Sequence, residues 1–434
     1  MFEFKEIYRA YLKCRKLKRN TINALTFEQN LLENLCNLET SLNNSSYLPK
    51  RLVCFLTSSP KLREVFASDF SDRVVHHIVV PLLEQLYEPK FIYDSYSNRK
   101  NRGIHSATKR ARHFMRGSKY YLQLDIKSFF YSIDKNILFL KLKKEIIKNY
   151  NKKVTSTQIQ MHEILNLVYI IIFQDVTKNV IIKANPQMFK NLPPHKTLFK
   201  ISKDKGLPIG NLTSQFFANV YMNDFDNFIK RKLKSKRYLR YVDDFVLFAD
   251  SKEELLYFYQ EITKYLSKEL KLQLREKIYR NPKLVSGFLG HKLLRTPNFF
   301  KTFLAETSFS FQFKAQNLFW ALNQPRTSSS FQSKITKNLI LKNNNDGLDF
   351  LGYIIRPNYI LARKRVVNNY KYKKAKYLQD YERQEGKMSL EEIKKFLSVQ
   401  ASFVGHIKHA NSFNLLHKVG KIDEKGNPFD YDRS

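Results

Sequence analysis

The sequence predicts an α+β fold, and three observations carry that prediction. Two short runs of strand-favouring residues, Leu122–Leu124 and Phe245–Phe248, each abut aspartate. Segments of helical periodicity surround them, over 2–19, 251–270 and 363–418. The 434 residues are 43% hydrophobic, enough to bury a large core shared between two or three subdomains.

The rest of the chain is organised around Tyr241-Val242-Asp243-Asp244. Adjacent carboxylates inside sequence that would bury itself in a sheet are costly unless a cation or solvent takes their charge. A tight hairpin turn with both aspartates in water is the plain reading. The upstream run Leu122-Gln123-Leu124-Asp125 argues for more, since a second apolar strand again delivers a carboxylate at one end. Two such strands make a site for hard divalent cations, which prefer oxygen ligands.

Between them lies Gly206-Leu207-Pro208-Ile209-Gly210-Asn211-Leu212-Thr213-Ser214-Gln215. With Asp125-Ile126-Lys127-Ser128-Phe129-Phe130 and the Tyr-Val-Asp-Asp box, in this order and spacing, it resembles the palm of a reverse transcriptase. The resemblance covers residues 55–420 or so. It implies a right-hand polymerase fold with fingers, a palm of antiparallel sheet on helices, and a helical thumb. It also implies RNA-directed DNA synthesis by two-metal nucleotidyl transfer. Asp125, Asp243 and Asp244 would hold two Mg²⁺ ions, with Mn²⁺ able to substitute.

Taken in order, residues 1–50 read as a helical extension. Phe4, Ile7, Tyr8, Tyr11 and Leu12 share one face of a helix over 2–19. The basic cluster from Lys13 to Arg19 is either a solvated face or a contact with RNA backbone. Thr26 and Gln29 have the spacing of a capping box that would open a second helix striped by Leu31, Leu32, Leu35 and Leu38. Residues 51–120 correspond to the fingers. There the resemblance assigns Lys61 and Arg63 to the incoming nucleotide, since Arg can bond phosphate oxygens bidentately. It assigns Arg73, Arg99, Lys100 and Arg102 to template or primer. His76 and His77 lack further ligands at metal spacing and read as packing or template-facing groups.

Residues 121–283 correspond to the palm with part of the fingers; 135–205 is an enlarged connection without assigned chemistry. Phe130 stands five after Asp125, where the family packs an aromatic under the sugar, and a large side chain implies preference for deoxynucleotides. Pro208 and Gly210 shape a turn, and Thr213 starts a helix through Phe217, Val220 and Tyr221. Gly210 and Tyr241 are assigned to template and primer, Gln215 to the nucleotide. Many family members have Gln at Ile209 and Ser-Pro at Ser214-Gln215. The version here resembles reverse transcriptases of diversity-generating retroelements and bacterial defence systems, and implies looser checking of the base pair. Ser251 is a good N-cap for the helix over 251–270. Lys277 is either a solvated lysine or the general acid for the leaving pyrophosphate.

Residues 284–346 would be an insertion, and 347–362 the hairpin that grips the primer through Phe350 and Gly352. Gly287-Phe288-Leu289-Gly290 is the competing candidate. Residues 363–434 would form a helical thumb and short tail, with Arg363 and Arg365 among the cations that contact nucleic-acid backbone.

Lys and Arg number 76 against 39 Asp and Glu, a net charge of +37. An excess spread along the whole chain points to a polyanion in an extended channel, with 14% aromatics available to stack bases. Cys14, Cys36 and Cys54 have no Cys-x-x-Cys spacing, so neither a disulfide framework nor a zinc site is indicated, and a reducing cytoplasm fits. The N-terminus lacks the uncharged core of a signal peptide, and the longest apolar run, Leu167–Phe173, is too short to span a bilayer. The resemblance implies an RNA template, a cDNA product and dNTPs as partners, leaves open an accessory protein or a second copy, and involves no membrane. It implies synthesis alone, since no stretch after the thumb is long enough for an RNase H domain. The leading setting is a bacterial antiphage system with a dedicated non-coding RNA. A diversity-generating retroelement, a template-independent transferase and a non-catalytic RNA-binding scaffold are the alternatives.

Overall fold

The computed structural model describes residues 1–275, 342–343, 346–412 and 415, apart from 17, 59–60 and 155–156. The chain starts with α1 (Phe4–Arg15), α2 (Ile22–Gln29) and α3 (Leu31–Asn43). The buried stripe of α1 is Ile7, Ala10, Tyr11 and Cys14. That is rotated from the expected face and leaves Tyr8 and Leu12 exposed. Tyr11 sets the rotation by stacking on Phe27 and meeting Phe70 edge-on. Thr26 is no N-cap, because it lies inside α2. Asn30, at φ −121° and ψ 49°, breaks the chain there and precedes α3, which buries Leu35, Leu38 and Leu42 but not Leu32.

Strands β1 (Leu52–Thr57) and β2 (Arg63–Ala67) pair antiparallel, Thr57 opposite Arg63. Next comes α4 (Phe70–Tyr87), capped by the Asp69 carboxylate, which accepts from the Ser71 N–H. Then follow α5 (Ile104–Arg116), β3 (Tyr120–Asp125), the short α6 (Phe129–Ser132), α7 (Lys135–Lys153), α8 (Met161–Phe173), β4 (Val180–Lys183), α9 (Pro186–Lys190) and α10 (Leu212–Asn227). The enlarged connection returns to the first hairpin, because β4 lies parallel to β1 with Val180 opposite Leu52. Glu64 on β2 ties it there. Fully buried, its carboxylate accepts from the Leu198 N–H at 2.5 Å and the Thr197 hydroxyl at 2.8 Å. Burial still pushes this carboxyl above its ordinary value.

A second sheet adds β5 (Tyr238–Tyr241), β6 (Asp244–Ala249) and, after α11 (Lys252–Glu269), β7 (Lys342–Asn343), in the antiparallel order β5-β6-β3-β7. Ser251 caps α11 as expected, its hydroxyl accepting from the Glu254 N–H. The strands β8 (Leu348–Phe350), β9 (Tyr353–Ile355) and β10 (Ile360–Ala362) form a meander. Leu351 and Gly352 both take positive φ in its first turn, the pattern of a type I′ hairpin. Tyr121, Val246 and Phe248 of the second sheet share one core with Ala107 and Phe114 of α5 and Phe350 and Tyr353 of the meander. Last come α12 (Lys364–Arg383) and α13 (Leu390–Ile407). They run antiparallel, since Tyr370 stacks on Phe403 at 4.0 Å and Tyr377 on Phe396 at 4.1 Å. The expected insertion at 284–346, including Gly287–Gly290, falls almost wholly outside the described residues.

Histidines join α13 to the rest. His105 of α5 stacks on His409 at 3.4 Å, and His406 stacks on Tyr353 at 4.2 Å. The Tyr353 hydroxyl donates to the His406 carbonyl at 2.9 Å. Burial, then His409, His406 and Lys109, hold His105 below its ordinary pKa of 6.5. A histidine depressed in the folded state contributes stability above its unfolded pKa, and that contribution is lost as pH falls below 6.5. Amide protection over Ala401–His409 should therefore decline as pH is lowered from about 7.5 to about 5.5, measured by hydrogen exchange. His409→Gln should flatten that dependence; an unchanged profile would rule the histidine contact out as its cause.

Candidate active site

The register of β3 against β6 places Asp125 opposite Asp244. Tyr241 pairs with Asp244 across a two-residue loop, so Asp243 stands in the turn itself. Val242, the other loop residue, has φ +59°. A β-branched side chain in that region is strained by about 1–3 kcal/mol and persists only where its surroundings impose it.

Arg240 imposes it. The side chain is 1% exposed and its partner Asp226, on α10, is 0% exposed. The guanidinium grips that carboxylate through Nε at 2.8 Å and Nη2 at 2.6 Å. Its remaining nitrogen, Nη1, donates to the Val242 carbonyl at 2.9 Å and to the Asn219 side chain at 3.3 Å. Tyr238 donates to Asp226 at 2.6 Å. Burial would push the guanidinium pKa down, but the Asp226 charge and hydrogen bonds raise it above its ordinary value. The turn that carries Asp243 is thereby bolted to α10.

Asp125, Asp243 and Asp244 are all partly exposed. The Gln123 amide donates to both Asp244 oxygens, at 3.2 and 3.4 Å, and to the Asp349 carbonyl at 3.1 Å. Among the described residues no three His, Cys, Asp or Glu side chains are gathered as a cation site. Three carboxylates at adjoining backbone positions, in reach of solvent, nonetheless fit hard divalent cations as a donor set. The fit lies in backbone placement, not in preset side-chain geometry.

Backbone bonds stitch the neighbouring loops to this point. Leu207 N–H donates to the Phe130 carbonyl at 2.8 Å, and Gly206 N–H to Ile133 at 2.8 Å. Phe66 N–H, on β2, donates to the Ile209 carbonyl at 2.7 Å. Gly210, at φ +121°, has no room for a side chain, since a Cβ would stand 2.7 Å from the Phe66 carbonyl oxygen. Ser68 donates to Asn211 at 2.8 Å, and Gln215 follows half-buried in the first turn of α10. The segment Leu272–Leu274 runs beside Ile126 and Lys127; Lys277, three residues on, lies outside the described residues.

The remaining sequence-selected residues divide into exposed and internal. Lys61, Arg63, Lys100 and Arg365 are exposed. Arg102 is half-buried and stacks over Tyr93 at 3.9 Å. Arg73 spends its Nε on the Ser68 carbonyl. Arg99 is committed inward: its side chain is 5% exposed and bonds Glu88, the Ile92 carbonyl and Ser95. It braces its own loop. Phe350 is fully buried in the shared core, so its part is packing under the hairpin, not contact with nucleic acid. Tyr241 is half-buried against the same core. Gly352 lies against His406, and its carbonyl accepts from Arg363 N–H at 2.9 Å; the Arg363 guanidinium pairs with Asp349. His76 is buried and held at about 3 by desolvation, as a packing residue would be.

Sequence reasoning missed Arg240, Asp226, Asn219 and Gln123. The one available signal was an arginine inside an apolar strand, which cannot stay buried without an anion. Arg240→Met should cost about 3–5 kcal/mol, the usual loss when one member of a buried pair is removed, measured by denaturant unfolding. Arg240→Met with Asp226→Leu should recover part of that stability without restoring the Val242 turn. Equal stability of the single and double variants would deny the pair its bracing role.

No helix among the described residues is long and apolar enough to cross a membrane. Residues 57–293 match the family described as reverse transcriptase (RNA-dependent DNA polymerase), more than half of the chain. The group II intron-encoded protein LtrA of Lactococcus lactis subsp. cremoris is 27% identical over 201 residues, which are 45% of this chain and 28% of LtrA. Protein YkfC of Escherichia coli (strain K12) is 22% identical over 316 residues, 63% of this chain and 74% of YkfC. A solved telomerase from Candida albicans, in complex with a fragment of telomeric RNA, aligns at TM-score 0.40 and 10% identity, over 86% of this chain and 61% of that one. The match thus spans little more than a quarter of the length of LtrA. With its three aspartates brought together at the ends of the adjoining strands β3 and β6, the chain belongs to the reverse transcriptase (RNA-dependent DNA polymerase) family and has that family's right-hand fold.

Proposed function

We propose that the chain is an RNA-directed DNA polymerase that extends a 3′-end along an RNA template. The observation that carries this reading is the register of Asp125 against Asp244, with Asp243 in the adjoining turn. These carboxylates would hold divalent cations, of which Mg²⁺ is the proposed species. When bound, a pair of such ions activates the attacking oxygen and neutralises the leaving pyrophosphate.

The chain's own side chains supply the rest. Lys61 and Arg63, exposed at the turn from β1 into β2, are the proposed ligands of the triphosphate. Phe130, whose carbonyl is fixed by Leu207, is the proposed stop against a 2′-hydroxyl. Gln215 and Gly210 line the floor for the base pair, and Lys100, Arg102 and Arg365 take backbone phosphates. Lys277 is the proposed general acid, on the ground that the segment leading to it runs beside Asp125's strand. The Ile209 and Gln215 version of the Gly206–Gln215 stretch motivates a setting in bacterial antiphage defence with a dedicated non-coding RNA.

Purified with its co-expressed RNA, the wild type should incorporate labelled dNTPs, and Asp243→Ala with Asp244→Ala should abolish incorporation while RNA stays bound. Tight RNA binding with no incorporation by either protein would sink the polymerase reading in favour of a scaffold. Phe130→Ala should lower discrimination against ribonucleotides by about two orders of magnitude, read as the ratio of kcat/KM for dNTP and rNTP. An unchanged ratio would remove Phe130 from sugar selection.

A further inference from the structure

On the outer face of α5 lies a cleft of about 330 Å³ lined by Tyr93, Arg102, Ser106, Lys109, Arg110 and His113. Ser106, Lys109, Arg110 and His113 recur at helical spacing, so one face of α5 forms a wall. Tyr93 is 63% exposed, and the Arg102 guanidinium lies over its ring at 3.9 Å. Arg110 flanks the same ring at 5.5 Å and Phe114 at 4.4 Å. The one carboxylate beneath, Asp94, is already shared between Arg110 at 2.9 Å and Lys230 at 3.2 Å. Arg102 and Lys109 therefore leave the cleft positive.

An exposed ring layered with guanidinium groups is a stacking platform for a base, and the adjoining cations suit its phosphate. A duplex keeps its bases stacked inside and offers none to such a platform. We propose that this cleft binds one unstacked nucleotide of a single-stranded RNA, base against Tyr93 and Arg102, phosphate against Lys109. Its floor connects to the turn that carries Asp243. Arg240 N–H donates to the Asp94 carbonyl at 3.0 Å, and Tyr96 N–H donates to the Arg240 carbonyl at 3.0 Å. Asp94–Tyr96 thus extend the palm sheet beyond β5. The RNA segment held here is anchored to the strand that leads into Tyr241-Val242-Asp243-Asp244. The proposal rests on the nucleic-acid reading above and adds to it a base-stacking contact at Tyr93, in the loop that also carries Lys100 and Arg102.

The test uses the full chain and a fluorescent single-stranded RNA of mixed sequence about a dozen nucleotides long. Tyr93→Ala should weaken binding about tenfold or more, and Tyr93→Phe, which keeps the ring, should bind as wild type. Lys109→Ala should lower the slope of log K against log salt by about one. Ultraviolet cross-linking of 4-thiouridine RNA should label the peptide containing Tyr93 in the wild type. Wild-type affinity for Tyr93→Ala, or cross-links confined to other peptides, would overturn the cleft while leaving the polymerase reading to its own incorporation assay. Displacement of the RNA label from Tyr93 by millimolar ATP, with RNA affinity unchanged, would assign the cleft to a free nucleotide and overturn the strand. A wild type that binds no RNA would overturn both.

Discussion

The buried pair of Arg240 and Asp226 is the constraint on which the candidate site depends. A guanidinium and a carboxylate taken out of water must satisfy each other nearly completely, and here they do, with Tyr238 and Asn219 consuming what remains. One donor is left to hold a single backbone carbonyl, that of Val242. The cost of desolvating the pair is thereby converted into a fixed turn geometry. Hydrophobic residues of equal volume could hold α10 against β5, but they could not hold a strained Val242 at φ +59°. Position, more than stability, is what the pair supplies.

From that turn outward, main-chain hydrogen bonds relay the position. Phe66, Ile209, Leu207 and Phe130 link β2, the loop before α10 and the short α6 through backbone groups alone. Such bonds do not depend on side-chain identity, which leaves the side chains of these loops free to vary with the task. Gly210 is the exception, because the Phe66 carbonyl occupies the space a Cβ would need. Glu64 extends the same rigidity to the enlarged connection by accepting from Thr197 and Leu198.

The three aspartates, both strands that carry them and the helices from Thr213 and Ser251 were legible because each depends on local sequence: alternation, a cap, a turn. The errors have a common cause. Tyr8 and Leu12 are apolar at helical spacing, yet the choice of which face of α1 to bury was made by Phe27 and Phe70, which sequence spacing does not connect. Thr26 has a capping spacing, but Asn30 breaks the chain. Arg99 sits in a basic run beside glycine, and only the fold reveals Glu88 beneath it. Arg240 was invisible as a brace for the same reason, since Asp226 is fourteen residues earlier on another element. Long-range pairing decides whether a cation faces solvent or core, and periodicity carries no record of it.

That distinction bears on the net charge. The fold commits several of its 39 acidic groups to buried or half-buried cations: Asp226 to Arg240, Glu88 to Arg99, and Asp94 to Arg110 and Lys230. Each one-to-one pair is neutral, taking a cation and an anion together, and leaves the excess of +37 unchanged. Among the described residues further cations stand at the surface, as along α12, where Lys371, Lys373 and Lys376 are exposed. Such a surface repels itself unless counterions or a polyanion cover it. A nucleic acid lying on this surface would supply the negative charge that 39 acidic groups cannot supply to 76 basic ones.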